Sequence, residues 1–456
     1  NLSGVDLSFN VFQEPSLLLQ VGAIFLIGSI ASGVYPALVL SNYRPLAVLT
    51  GRLKDSKGGL VLRKGLVVFQ FMITMLLLVG TVTIYKQVNH MRSQSLGVDI
   101  DQTIVVKYPI LIDSSRAQIA KRNTFKKELK RLAQVGGVTY SETVFGQGTI
   151  EMNTTTGFST VESEAGDGVN FAFYRVDEDF VPTFEFNILA GRAFDSDFDQ
   201  ALERTPSMYN GLMINETSRK VFGFATNEEA VGAKINRFGS QVPIVGVFAD
   251  YNHHSLKTKV EPTVIMFDKN AYSSNYVSIK VNSGLNPEET YKGIINDVER
   301  TYRNVYPGSD FEYFFLDENF EKQYRADKQF GTVFTSFAIV TIFVAILGLF
   351  GLILYEVQQR IKEIGIRKVL GASVYTIIQL LSSSFLKLIL ISIVLALPVA
   401  YFGMNEWLSG YAYRIDLSIV LFIVPALSLL LIALVTVAAQ AVKAASENPI
   451  KSLRYE

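Results

Sequence analysis

Residues 317–373 read DENFEKQYRADKQFGTVFTSFAIVTIFVAILGLFGLILYEVQQRIKEIGIRKVLGAS, and this stretch decides the fold. Glu321 to Lys328 is polar and charged, Gln329 to Tyr355 is an uncharged run rich in Phe, Ile, Val and Leu, and charge returns from Glu356 onward. Read as one helical rod rising about 1.5 Å per residue, the stretch reaches roughly 80 Å, well over twice the apolar thickness of a bilayer. It must protrude on at least one side. A rod of that length is expected to carry movement from one side of a membrane to the other.

Composition agrees with a mixed protein. The 456 residues are 49% hydrophobic and 18% charged, more apolar than a soluble chain needs and too polar for one lying wholly in lipid. Lys+Arg and Asp+Glu balance at 42 each, so no basic excess points to nucleic acid. The lack of Cys removes thiolate metal sites, Cys nucleophiles and disulfides together, and fits a domain in an oxidising compartment that is stable without staples. The residues after Asn1 show no basic n-region before an apolar h-region and do not read as a signal peptide.

Five segments are long and apolar enough to span: Pro15 to Tyr43, Gly65 to Tyr85, Gln329 to Tyr355, about Val374 to Gly403, and Leu417 to Val442. The fourth carries Lys387 near its middle. An ionisable group there reads either as functional, paired with a carboxylate or a lipid headgroup, or as a snorkelling side chain. The second reading, which is preferred, has Val374 to Leu386 entering obliquely and Leu388 to Gly403 spanning. Pro398 is expected to kink the same segment. Basic residues sort the loops: Arg44, Arg52, Lys54, Lys57, Arg63 and Lys64 follow the first span, Arg360, Lys362, Arg367 and Lys368 the third, and Lys443, Lys451 and Arg454 lie in the tail. Asn1 to Ser16 has none and Met404 to Asp416 only Arg414. Because cytoplasmic loops hold Lys and Arg, the amino end and Lys86 to Lys328 are expected outside and the carboxyl end inside.

The outer segment, about 240 residues, suits one or two folded units. Thr103 to Lys107 and Tyr276 to Val281 read as strands, each followed by a helical pattern, Ser114 to Gln134 and Pro287 to Tyr302. Phe311 to Leu316 reads as a strand running into the rod. Between them, Gly136 to Asn270 has strand patterns at Phe171 to Val176, Gly211 to Asn215, Val242 to Phe248 and Thr263 to Phe267. The expected fold is an α-helical transmembrane bundle of five spans with a large α+β extracytoplasmic domain of two subdomains, a split α+β part and an inserted β-richer part.

A repeat links the ends. SNYRPLAVL at Ser41 to Leu49 and ASENPIKSL at Ala445 to Leu453 each follow an apolar span that is itself preceded by Asp-Leu-Ser, at Asp6 to Ser8 and Asp416 to Ser418. The first span is then expected to close a first copy, and the chain to be the carboxyl-terminal part of a longer protein.

After the third span, Gly371 is suited to the left-handed residue that ends a helix and Ser373 to capping the next. A short cytoplasmic helix bearing Ile361, Ile364, Arg367 and Lys368 then offers apolar and basic residues to a partner, although an ordinary basic anchor after a span has the same composition. The run QQRIKEIGIRKVLGAS resembles the signature that follows the second span of a repeat in permeases of the MacB/FtsX type, an ABC superfamily. So do Ala190-Gly191-Arg192-Ala193-Phe194, Ile244-Val245-Gly246-Val247 leading to Asp250-Tyr251, and the terminal Asn448-Pro449 with Leu453-Arg454-Tyr455-Glu456. A double-copy form occurs in this family, and the missing first copy is where this chain departs from it.

The resemblance implies a permease subunit of an export or mechanotransmission complex in the bacterial inner membrane, with the large domain in the periplasm. Its coupling element would dock on a separate ABC ATP-binding subunit through Arg360, Glu363, Ile364, Gly365, Arg367, Lys368 and Gly371. ATP and Mg would sit on that partner and no cofactor in this chain. Other implied partners are the first repeat or a second permease copy, and the lipid bilayer. The expected segments are 1–43 as the last span of a first repeat, 44–64 as a cytoplasmic loop and 65–95 as span and stalk. The extracytoplasmic domain is 96–316, with a membrane-proximal porter-like part at 96–135 and 271–316 and a distal part at 136–270. Stalk and span follow at 317–356, the coupling element at 357–373, two spans at 374–442 and a tail at 443–456.

Nothing reads G-x-x-x-x-G-K-[ST], so the chain is not expected to hydrolyse ATP itself. His253-His254 lacks a third spaced ligand and reads as a solvated loop. Asp195-Ser-Asp197-Phe-Asp199 lacks the Gly and Glu of a calcium loop, and no GxSxG or triad is present. A ligand-sensing receptor is the alternative, but its inward effector or coiled linker is missing from the short cytoplasmic pieces.

Overall fold

The computed structural model describes residues 19–20, 22–23, 25–30, 34, 57–109, 116–147, 154–161, 165–195, 211–237, 239–268, 275–282, 287–371 and 373–446. Of the expected first span, only the described positions between 19 and 34 are placed, all helical. The loop cations Arg44, Arg52 and Lys54, the motif Ser41 to Leu49, most of Ala445 to Leu453, the Asp6 to Ser8 tripeptide, Asp197 and Asp199 lie outside the described residues.

In chain order the helices are α1 (Lys57–Ser93), α2 (Arg116–Lys130), α3 (Phe180–Thr183), α4 (Glu216–Val221), α5 (Asn227–Ala230), α6 (Pro287–Val305), α7 (Leu316–Glu321), α8 (Arg325–Gln359), α9 (Ile361–Val369), α10 (Val374–Ser409) and α11 (Val420–Ser446). Two compact units are formed. One contains Asn1–Ile84, Gln329–Asn405 and Leu417–Glu456, the other Tyr85–Lys328 and Glu406–Asp416.

The segments Val61–Ser93, Leu316–Gln359, Ile378–Ser409 and Val420–Lys443 belong to helices long and apolar enough to cross a membrane, four among the described residues. Each buries a stripe at helical spacing: Phe71, Met75 and Val79 on α1, Ala338, Ala345, Leu349 and Ile353 on α8, Phe385, Ile389 and Ala396 on α10, Leu429, Ala433, Val437 and Ala441 on α11. The recurring Ala lets backbones approach, which suits packing where lipid gives helices no hydrophobic drive to associate. Lys387 is exposed on α10, which is helical from Val374 to Ser409. Pro398 lies inside that helix without ending it.

The expected single rod is divided. α7 passes through a 3-10 turn at Lys322–Tyr324 into α8, and α8 stops at Gln359. There the Arg360 N–H is shared between Glu356 O at 3.1 Å and Val357 O at 3.2 Å, while Ile364 N–H donates to Arg360 O at 2.9 Å to start α9. A donor shared between two carbonyls tightens the last turn, as at many helix ends.

Among the described residues, the second unit is built on one 12-stranded sheet, whose main path runs β12-β1-β11-β2-β5-β10-β7-β9-β8-β4. The strands β1 (Thr103–Lys107), β2 (Val135–Ser141), β11 (Tyr276–Val281) and β12 (Tyr313–Phe315) pair antiparallel in the order fourth, first, third, second. With α2 after β1 and α6 after β11, this is the ferredoxin-like split βαβ arrangement. Alternate residues Ile104 and Val106 of β1 and Val277 and Ile279 of β11 meet Phe125 and Leu129 of α2 and Ile294, Val298 and Tyr302 of α6 in one core. Leu316, expected as the end of a strand, instead begins α7.

The other half has a second core. β5 (Phe171–Val176), β7 (Leu212–Asn215), β9 (Ser240–Phe248) and β10 (Thr263–Phe267) supply Phe171, Ile214, Ile244, Val247, Val264 and Met266. Here β5 and β10, and β7 and β9, run parallel. β8 (Lys234–Arg237) and β4 (Phe158–Thr160) complete that end, while β3 (Thr154–Thr155) and β6 (Ile188–Gly191) pair off the path with β5 and β9. The halves meet at β2 and β5 through the pair Ser141 and Val176. Next to that seam Phe145, Phe180, Phe184, Phe186 and Tyr251 stack edge to face, and His253 lies among them, 6% exposed. The expectation of a solvated His253 is thus corrected: aromatic rings from distant parts of the chain enclose it.

Candidate functional site

The candidate site is α9 with its two flanking turns. Ile364 is buried against Ala441, with Val357 and Ile378 packed around them, so one apolar residue fixes the short helix to α11, α8 and α10. Gly365 is buried beside it. Glu363 and Arg367 form an exposed pair at 2.8 Å, four residues apart, and Arg360 pairs with Glu356 at 3.0 Å. At the far end the Leu370 N–H returns to Ile366 O at 3.0 Å, and Gly371, at φ +88°, turns the chain where a Cβ would strain it. Ser373 Oγ then accepts from Thr376 N–H at 3.3 Å and caps α10.

Of the seven residues expected to couple to a partner, Glu363 and Arg367 lie on the open face. Arg360 is half-buried, Ile364 and Gly365 are turned into the chain's own packing, and Gly371 sets the turn. The Lys368 side chain, like that of Ile361, lies outside what is described. Residues not singled out from the sequence fill the open face: Ile366 is 52% exposed, Leu370 80% and Tyr375 72%. Exposed large apolar groups thus accompany the Glu363–Arg367 ion pair on α9 and the start of α10. A signal for Leu370 was present in its place next to the helix-ending Gly371.

The other sequence motifs serve the fold. Gly191 and Gly246 are directly paired in register on β6 and β9. A Cβ on Gly191 would stand 2.3 Å from Val245 O, and one on Gly246 2.4 Å from Arg192 O. Both motifs therefore need Gly for one backbone crossing. Asp250 accepts from Thr217 N–H at 3.0 Å and Thr217 Oγ1–H at 2.8 Å, which fixes the first turn of α4. Burial, reinforced by neighbouring His254, pushes the His253 pKa down to about 3 and keeps the ring neutral. Among the described residues no three His, Cys, Asp or Glu side chains are grouped to hold a metal ion.

Residues 335–449 match the FtsX-like permease C-terminal family, which takes in most of the apolar part of α8 and all of α9, α10 and α11. Among solved structures, the chain is similar to the periplasmic region of MacB from Actinobacillus actinomycetemcomitans, at 13% identity and a TM-score of 0.33, covering 50% of this chain and 95% of that one. It is similar to the extracellular domain of the noncanonic ABC-type transporter YknZ from Gram-positive bacteria, at 14% identity and a TM-score of 0.30, covering 46% and 97%. A domain of a putative permease protein from Porphyromonas gingivalis shares 13% identity at a TM-score of 0.28, covering 47% and 87%. No curated protein matches the sequence.

Proposed function

We infer that this chain, a permease of the MacB/FtsX type, couples ATP hydrolysis on a separate ATP-binding subunit to movement of an extracytoplasmic domain. The match of residues 335–449 to the FtsX-like permease family carries the reading, because that region contains α9 and its open face. In this proposal Ile366, Arg367, Leu370 and Glu363 dock on the ATP-binding subunit, and Ile364 makes α9 follow α11. Arg360, Gly365, Lys368 and Gly371 complete the coupling element. ATP and Mg are held by the partner.

Five spans are proposed, the first between Pro15 and Tyr43, in a bacterial inner membrane with Lys86 to Lys328 in the periplasm. The sheet half around α2 and α6 is proposed as the membrane-proximal part and the half around β7 and β9 as the distal part. A first repeat in the same polypeptide, or a second permease copy, completes the device. Export of a substrate and pure mechanical signalling use the same stroke.

The test is purification of the full chain from its native membrane. An ATPase is expected to co-purify, and Leu370→Asp or Arg367→Glu to abolish the stimulation of its ATP turnover. Absence of any associated ATPase would remove the proposal.

A further inference from the structure

We propose that the loop joining α10 to α11 is a clasp that ties this pair of helices to the outer domain through Tyr411, Asp327, Lys257 and Gln87. The inference rests on the coupling function proposed above and adds a third mechanical connection to the two long helices α1 and α8.

The clasp is built from buried groups. Asp327, near the start of α8, is 6% exposed; its Oδ1 accepts the Tyr411 hydroxyl at 2.8 Å and its Oδ2 lies 2.8 Å from Lys257 Nζ. The same ammonium stands 5.2 Å from the Tyr411 ring centroid, so the phenol, the carboxylate and the cation form one closed set. A buried carboxylate is kept in a fold only when such partners satisfy it. Burial, together with the hydrogen bond to Asp327, raises the Tyr411 pKa and keeps the phenol protonated as donor.

The backbone is held as well. Ala412 N–H donates to Lys257 O at 2.9 Å and Tyr413 N–H to Leu256 O at 3.3 Å, a two-rung ribbon between the loop and the outer domain. Gln87 of α1, fully buried, donates its amide to Tyr413 O at 2.8 Å and accepts from Ile415 N–H at 2.9 Å. One loop thus touches α1 through Gln87, α8 through Asp327 and the domain through Leu256 and Lys257. A slack tether would need none of these bonds. Movement of α10 and α11 is delivered to the residue 255–258 turn directly, and neither α1 nor α8 slides past the loop without breaking a buried contact.

The experiment uses the full chain in lipid nanodiscs with its ATP-binding subunit. The sequence has no Cys, so Asn123→Cys on α2 and Ile423→Cys on α11 supply the only two spin-label sites in this chain. A non-hydrolysable ATP analogue is expected to change the distance between the labels, and the Lys257→Met/Tyr411→Phe double variant to at least halve that change, while Lys257→Arg retains it. Amide exchange at Ala412 and Ile415 is expected to quicken at least tenfold in the double variant, with exchange in β1 unchanged as the sign of an intact fold. An unaltered distance change, or unaltered exchange, overturns the clasp. If the parental chain shows no nucleotide-dependent change at all, the coupling reading itself fails and the clasp falls with it.

Discussion

The two ends of the helical run from Leu316 to Val369 differ in what their side chains meet. At the outer end Leu316, Phe320 and Tyr324 are buried, the Tyr324 hydroxyl accepts from Leu256 N–H, and Glu321 is held by Arg92 at 2.8 Å and Lys328 at 2.5 Å. At the inner end a single buried Ile364 anchors α9, and Ile366 and Leu370 stay open. One end is satisfied by its own chain. The other has apolar groups that nothing in this chain covers among the described residues, which is the condition for a docking surface.

The sharpest way to break the contrast is Phe320→Ala, which empties a core position at the outer end. It should destabilise the outer unit by about 3 kcal/mol or more, read as faster amide exchange across β1 and β12 in the full chain. An equal loss from Leu370→Ala would erase the distinction between the ends.

A second effect belongs to the outer unit alone. His253 has its pKa pushed down to about 3 by burial, against 6.5 for an unperturbed ring. An unfolded chain therefore binds a proton below about pH 6.5 that the folded unit refuses until about pH 3. The contribution of His253 is level above pH 6.5 and becomes increasingly destabilising as the pH falls from there toward 3, and His253→Phe should flatten that part of the profile in a denaturant titration.

At the inner end, Leu370→Asp should leave the melting profile unchanged and weaken association with the ATP-binding subunit at least tenfold, about 1.4 kcal/mol, in a pull-down or binding titration. The smallest effect is on stability from Arg367→Ala. Its exposed pair with Glu363 is worth only about 0.3–0.5 kcal/mol, so circular dichroism should show almost no shift.

Much of the fold was legible because its signals are local. The runs at Thr103 to Lys107 and Thr263 to Phe267 have the strand bounds expected of them, and the helices in the carboxyl-terminal part announce themselves by length and apolarity. What was not legible depends on partners far along the chain. No Gly or Pro marks the break at Arg360; it comes with the packing of Ile364 on Ala441 of α11, a contact no window of sequence contains. His253 is packed against Phe145, Tyr174 and Tyr251, and a His-His pair in a polar loop carries no hint of them. The parallel pairings of β5 with β10 and β7 with β9 likewise cross long stretches, so a continuous sheet could not be distinguished from two separate ones. For the site, the sequence predicts a short helix bearing Ile364 after the third span, but which face Ile364 takes is decided by Ala441, Val357 and Ile378.

The main path of the sheet ends in β12 at one side and β4 at the other, and each is only three residues long. Lys107 and Glu312 form an ion pair beside the first of these, at 2.6 Å. Strand borders this brief, one of them lined by charge, give another chain little to zip onto. Where many such domains crowd at a membrane surface, that shortness protects them from fibril-like self-association, and lengthening either border by hydrophobic strand residues should turn a well-behaved preparation into one that precipitates.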